Sequence, residues 1–203
     1  MKKWFYPLGL VTLLGFTTLY ITFTSEEMVQ LDRKMNELLN GNQFIAPFHY
    51  LGEPKFIVIM MLILFAYLWI HSKNYRGMLF GLFTVGVGNV LNQLLKKWVQ
   101  RARPDIPNQL ESFSFPSGHA MVGLLYVFTI AYFLAEHQSN KKIRVLLWIG
   151  ALLLAILIGL SRIAESRHFA TDVLAGWMAG YTWFVFVALW YESRKNNFKK
   201  NID

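Results

Sequence analysis

Residues 113–136 read FSFPSGHAMVGLLYVFTIAYFLAE: a small-residue turn carrying a histidine that runs directly into an apolar segment, Met121 to Ala135. Pro116 suits a first helical turn, because its missing N–H would have no partner there in any case. The N–H groups of Ser117, Gly118 and His119 are then expected to point out of the helix start. A helix start built from small residues is a ready site for an anion. Gly118 lets an oxygen approach the backbone, and His119 stands beside it with a proton to give. The plainer reading is a capped helix with an interfacial histidine.

Working outward, the apolar run is one of six. Trp4 to Thr24, Lys55 to Ile70, Gly77 to Leu95, Met121 to Ala135, Val145 to Leu160 and Val173 to Tyr191 each approach the length of a membrane-crossing helix, which needs roughly 20 apolar residues. The whole chain of 203 residues is 55% hydrophobic and only 16% charged, a balance that fits spans better than a water-soluble surface. The expected fold is all-α: a six-helix transmembrane bundle in one membrane-embedded domain over residues 1–203. The first segment follows Met1-Lys2-Lys3 like a secretory signal. It is long and lacks a small-x-small cleavage pattern before Ser25, so it reads as a retained helix.

The formal charge of +8 would suit a nucleic-acid partner, but its distribution does not. Eleven of the 20 Lys and Arg fall in four places: Lys2 and Lys3; Lys73 and Arg76; Lys141, Lys142 and Arg144; and Arg194, Lys195, Lys199 and Lys200. With six spans these places share one side, and the positive-inside rule makes it cytoplasmic, with both termini. No nucleic-acid module pattern lies outside the spans. The absence of cysteine excludes disulfides and thiolate metal sites.

Between the first two spans, Met28, Leu31, Met35 and Leu38 recur at helical spacing among charged residues. Residues 26–40 are expected to form an amphipathic extracytoplasmic helix ended by Gly41-Asn42. It would either pack on the spans or guide a lipid headgroup. The tail from Glu192 reads as polar and frayed.

Two more polar patches sit at span ends on the side of the PSGH turn. In the first, Lys96 and Arg103 lie seven apart, near one helical face, and Pro104 forces a turn at Arg103. Arg offers a planar fork to phosphate oxygens and Lys a mobile point charge. Lys97 and Arg101 make a basic juxtamembrane cluster the plainer alternative. In the second, Ser161-Arg162 precedes His168 and Asp172, which lie four apart, on one face if a helix begins near them. An Asp so placed accepts the proton of one imidazole nitrogen and leaves the other as a lone pair for a substrate. A polar cap on the sixth span is the bland alternative. Glu165 is a lone carboxylate expected to pair with Arg162 or Arg167. Asn89, Asn92 and Gln93 are intramembrane polar groups, suited to function or to bonding between helices.

Taken in order, K-x6-R-P (Lys96 to Pro104), P-S-G-H (Pro116 to His119) and S-R-x5-H-x3-D (Ser161 to Asp172) resemble the signature of the type 2 phosphatidic acid phosphatase family, the membrane lipid phosphate phosphatases. All spacings hold, over about residues 77–185. The resemblance implies that His168 is the nucleophile that becomes phosphohistidine and that Asp172 orients it. It implies that His119 is the general acid and base, and that Lys96, Arg103, Ser117, Gly118 and Arg162 hold the phosphate. Phosphoryl transfer is mostly positioning and charge stabilisation, so this inventory is chemically sufficient without a cofactor. No acidic cluster suited to Mg²⁺ is present in the sequence. Likeness to compact bacterial members implies phosphatidylglycerol phosphate as substrate, with undecaprenyl (polyprenyl) diphosphate or phosphatidic acid as alternatives. The site would lie at the extracytoplasmic face of the plasma membrane. Vanadium-dependent haloperoxidases share the phosphate-site pattern, but the six spans oppose that reading. The complete histidine set opposes a non-enzymatic lipid carrier.

Overall fold

The structure, a computed structural model, describes residues 5–200, with side chains through Arg194. Lys2, Lys3 and Trp4, and the side chains of Lys195, Lys199 and Lys200, lie outside the described residues. Within them every regular element is helical: α1 Phe5–Thr22, α2 Glu26–Leu39, a 3-10 segment Ala46–Gly52, α3 Pro54–Ile70, α4 Tyr75–Gly81, α5 Gly88–Val99, α6 Gly118–Glu136, α7 Lys141–Ala164 and α8 Ala170–Lys200. A π-helical stretch, Leu82–Val87, joins α4 to α5, so Tyr75–Val99 is one continuous span. α8 carries the helix through the tail that the sequence reads as frayed.

Among the described residues five helices are long and apolar enough to cross a membrane. A sixth crossing exists if the 3-10 segment and α3, bent by 50° at Glu53, count as one. Leu10, Leu14, Ile21, Leu62, Leu146 and Leu153 are exposed on the outer faces, where lipid chains take the place of a protein partner. α6 is the central post: 78% of its apolar window is buried, against 22% for α7, with α3, α5, α7 and α8 packed against it and α1 packed on α8. Its far half sits in an aromatic core with Phe80, Phe128, Phe133 and Phe184 in edge-on contact, a geometry that aromatic rings favour.

The near half of α6 meets α8 closely. A Cβ on Gly176 would lie 2.7 Å from the Ser117 carbonyl oxygen and 2.9 Å from the Ala120 Cβ. Only glycine allows this approach. It lets the Ser117 N–H donate to the Asp172 carbonyl at 2.9 Å, which ties the PSGH turn to the first turn of α8.

The amphipathic helix forms as expected, with Ser25 as its N-cap. Its docking differs from the sequence pattern. Leu38, the last residue of the apolar stripe, is 72% exposed, whereas Asp32 is only 5% exposed. The reason is ionic: Asp32 meets Arg101 at 2.7 Å and accepts the Thr171 N–H at 2.8 Å. Gly41, at φ +74, turns the chain so that its N–H donates to the Ala164 carbonyl at the end of α7.

Gly176→Val is expected to destabilise the fold by roughly 1–3 kcal/mol, the cost of overpacking. It should also lower activity by displacing Ser117. Thermal unfolding in detergent together with turnover checks both effects.

Candidate active site

The three patches converge at one end of the bundle, and Asp172 lies at their centre. It has no exposed side-chain surface, and a buried carboxylate needs partners. Arg101 NH1 donates to Oδ1 at 2.6 Å. The Phe169 N–H donates to Oδ2 at 2.9 Å, closing the first turn of α8, and the Ser114 hydroxyl donates to the same oxygen. His168 Nδ1 lies 3.4 Å from Oδ2 and 3.3 Å from Ser114 Oγ.

The ring state of His168 follows from its other nitrogen. Nε2 is 3.1 Å from Arg103 NH1. A guanidinium only donates, so Nε2 accepts and carries a lone pair. The ring proton therefore sits on Nδ1, facing Asp172 and Ser114. Burial pushes the His168 imidazole down to about 3; Asp172 pulls upward, while Arg103 and Lys96 add to the lowering. The ring is neutral at physiological pH, the state a nucleophile requires.

Arg103 faces this lone pair, and Lys96 and Arg162 lie in the same cluster. Arg103 is anchored by Nε to the Ser112 carbonyl at 2.7 Å and by NH1 to the Arg167 carbonyl at 2.7 Å. Burial and the nearby Arg162 lower it to about 10, so it remains charged at neutral pH. Lys96, buried, donates to the Phe113 carbonyl at 2.5 Å and the Ser114 carbonyl at 3.4 Å. Its stem passes Gly118, whose missing Cβ would lie 4.0 Å from Lys96 Cε. The expected common helical face of Lys96 and Arg103 does not exist. α5 ends at Val99, Gln100 turns left-handed, and Arg103 reaches the site from a loop. Arg162 pairs with Glu165 at 2.5 Å, as the sequence suggested, and Glu165 also meets His49 at 2.7 Å.

The PSGH turn forms the opposite wall. Ser117 caps α6 by accepting the Ala120 N–H at 3.4 Å. Its own N–H is not free, contrary to expectation, because the Asp172 carbonyl takes it. The Gly118 and His119 amides belong to the first helical turn, which lacks intrahelical acceptors. His119 Nε2, Arg162 Nε and Asn92 Oδ1 are buried without a hydrogen-bond partner. The two histidine and arginine atoms are groups that a phosphate oxygen would satisfy, at a position where unpaired polar groups are costly. Asn92 Nδ2 bonds the Pro116 carbonyl at 3.3 Å, which is bonding between spans. His119 Nε2 lies 3.8 Å from Glu53 Oε1. Gly52 clears room for that ring, since a Cβ there would fall 2.6 Å from His119 Cδ2. Among the described residues no group of three His, Asp or Glu side chains is placed to share a metal ion.

The structure thus brings Lys96, Arg103, Ser117, Gly118, His119, Arg162, His168 and Asp172 to one place. It adds Ser114, Arg101, Asp32, Glu53 and His49. Ser114 lies three residues before Ser117, but only the fold shows that its side chain turns to Asp172. Arg101 is visible as charge, but its partner is not.

Residues 74–196 match the PAP2 superfamily, and the chain belongs to that superfamily. It is 36% identical over 152 residues to phosphatidylglycerophosphatase B of Bacillus subtilis, covering 72% of this chain and 73% of that protein. An undecaprenyl-diphosphatase of Sulfolobus acidocaldarius is 32% identical over 81 residues, covering 40% of this chain and 34% of that protein. The crystal structure of a transmembrane PAP2-type phosphatidylglycerolphosphate phosphatase from Bacillus subtilis superposes with a TM-score of 0.83 at 29% identity, over 91% of this chain and 96% of that one. Aquifex aeolicus LpxE superposes at 0.56 with 26% identity, over 79% of this chain and 93% of that one.

Two outcomes follow from this geometry. Ser114→Ala removes a donor from the buried Asp172 carboxylate and should cost about 1.5–3 kcal/mol, or roughly 10- to 150-fold in turnover. Steady-state kinetics with a lipid phosphate checks it. Because burial lowers His168 from its ordinary 6.5 to about 3, its neutral form contributes stability that is complete above 6.5. That contribution is lost as pH falls toward 3, since the unfolded chain binds the proton first. Acid should therefore lower the melting temperature of the native protein more steeply than that of His168→Asn.

Proposed function

We propose that this protein is a multi-pass membrane phosphatase that removes the terminal phosphate of phosphatidylglycerol phosphate through a phosphohistidine on His168, with the whole chain acting as a single domain. The observation that carries the reading is the pairing at His168: a guanidinium on Nε2, a carboxylate behind Nδ1. A bound phosphate draws the Arg103 donors to its oxygens and exposes the Nε2 lone pair to phosphorus.

In the first step Nε2 attacks phosphorus and the bond from phosphorus to the lipid oxygen breaks. His119 gives its proton to that oxygen, and the lipid leaves as an alcohol. The ring, now phosphorylated on Nε2 and protonated on Nδ1, is cationic, and Asp172 stabilises it. In the second step His119 takes a proton from water. The water oxygen attacks phosphorus, the N–P bond breaks, and His168 returns to its neutral form as phosphate departs. Lys96, Arg103 and Arg162, with the Gly118 amide and the Ser117 hydroxyl, hold the equatorial oxygens throughout. A phosphate carrying about −1.5 to −2 charges requires such a set. This scheme uses no metal.

Phosphatidylglycerol phosphate is favoured by the relative named for it, which covers most of this chain, and by the close superposition on a phosphatase of the same name. A polyprenyl diphosphate is the second reading, supported by the shorter match to an undecaprenyl-diphosphatase. In this reading the enzyme lies in the plasma membrane with both termini cytoplasmic and the site extracytoplasmic. The clustering of Lys and Arg at the other ends of the spans supports this orientation.

Purified protein given phosphatidylglycerol phosphate, undecaprenyl diphosphate and phosphatidic acid in detergent should release phosphate fastest from the first, with EDTA making no difference. His168→Ala and His119→Ala should each abolish turnover. Full activity in either variant would remove its assigned role, and loss with EDTA would remove metal independence. A reporter fused after Asp203 should read cytoplasmic; an external signal would invert the topology.

A further inference from the structure

Arg101 is not explained by the scheme above. Its guanidinium lies over Phe169 at 4.2 Å and Phe23 at 4.9 Å, which fixes its plane. It then divides its donors between two carboxylates. NH1 reaches Asp172 Oδ1 at 2.6 Å and Thr171 Oγ1 at 2.7 Å, and NH2 reaches Asp32 Oδ2 at 2.7 Å. Asp32 also accepts both the Thr171 N–H, at 2.8 Å, and the Thr171 hydroxyl, at 2.9 Å. A helix outside the spans thus supplies a carboxylate to the first turn of α8, one residue before Asp172, where the helix dipole favours a negative charge. Asp172, Asp32 and Arg101 are all buried, with side-chain exposures of 0%, 5% and 11%, so their charges are poorly screened.

The charge balance gives this arrangement a consequence. Asp172 paired with Arg101 alone would form a neutral pair and offer little to a cationic phosphohistidine. Asp32 engages the other end of the same guanidinium. The trio of two carboxylates and one cation then keeps one net negative charge against His168. Arg101 fixes Oδ1, leaving Oδ2 directed at His168 Nδ1.

We propose that Asp32 and Arg101 are positioning residues for the phosphoryl-transfer step, with Asp32 on α2 preserving the charge that Asp172 presents to the phosphorylated His168. This rests on His168 being the nucleophile. Neither residue contacts the phosphate in this scheme, so their effect falls on kcat rather than KM. α2 is then more than a surface helix: its docked state is the catalytically competent one.

The test uses the purified full chain, phosphatidylglycerol phosphate as probe, and thermal unfolding to confirm that each variant is folded. Asp32→Asn, which keeps shape and the Thr171 contact, should lower kcat by roughly 10- to 100-fold, as losses of such outer partners do, with KM unchanged. Asp32→Glu, which keeps the charge, should retain more kcat than Asp32→Asn. Arg101→Gln should also lose kcat. The Asp32→Asn/Arg101→Gln double variant should lose less than the product of the single losses, because removing both charges restores the net balance. Asn36→Ala removes another α2 contact, the bond from Ser166 Oγ at 2.8 Å, without changing charge, and should keep kcat near the native value. Native kcat in Asp32→Asn, a change in KM alone, equal losses in the Asn and Glu variants, multiplying losses in the double variant, or an equal loss in Asn36→Ala would each overturn the proposal. His168→Ala measured alongside separates the foundation from the inference. Turnover retained there removes the nucleophile, whereas an inactive His168→Ala with a fully active Asp32→Asn removes only the role of Asp32.

Discussion

A carboxylate without exposed surface is the constraint on which this site depends. Burying Asp172 at the first turn of α8 is tolerable only if every lone pair finds a donor, and the donors come from distant parts of the chain. Arg101 and Ser114 lie in the loop between α5 and α6, while His168 and the Phe169 amide lie in the turn between α7 and α8. The Asp172 carbonyl also holds the Ser117 amide. Satisfying one residue therefore draws three separated patches together. Gly176 matters for the same reason, since without its close contact to α6 the carbonyl and the amide could not meet.

The cationic side of the site follows a second rule. Lys96 and Arg103 are not held open by repulsion; they are tethered to main-chain carbonyls of residues 112–114 and 167. Each tether uses some donors and leaves the others. Lys96 has three donors and Arg103 five, so both can anchor a loop and still serve a phosphate. Glu165 and Asp32 spread negative charge around the rim. This offsets the mutual repulsion of the cations before a phosphate arrives.

The spans were legible in the sequence because lipid imposes a length and an apolar composition that few other structures require. The second span hides one feature from the apolar run: α3, 17 residues long, is preceded by a 3-10 segment bent 50° from it. The eight site residues were legible because their identity and spacing repeat a family signature, and all eight meet in space. Their neighbours were not. Arg101 read as one more juxtamembrane cation, and Asp32 as one more charge on the wet face of α2, because a buried ion pair leaves no periodic trace in either segment. The docking face of α2 departs from its apolar stripe for the same reason: Leu38 completes the stripe yet lies exposed, while the carboxylate turns inward. The contributions of Glu53 and Gly52 depend on where the 3-10 segment and its bend meet α6 and α7, which local propensity does not encode. The single occupied amide at Ser117 likewise depends on the approach of α8.

On the proposed mechanism, His168 carries the phosphoryl group in mid-reaction. This step is tested most directly by trapping that species: mixing the enzyme with phosphate-labelled phosphatidylglycerol phosphate, quenching in alkali, where phosphohistidine survives, and locating the label by peptide mass spectrometry. An acid-labile label is expected on His168, absent from His168→Ala and accumulating in any His119→Ala protein able to reach the first step. Label on another residue, or rapid native turnover with no labelled protein at any quench time, would contradict the mechanism.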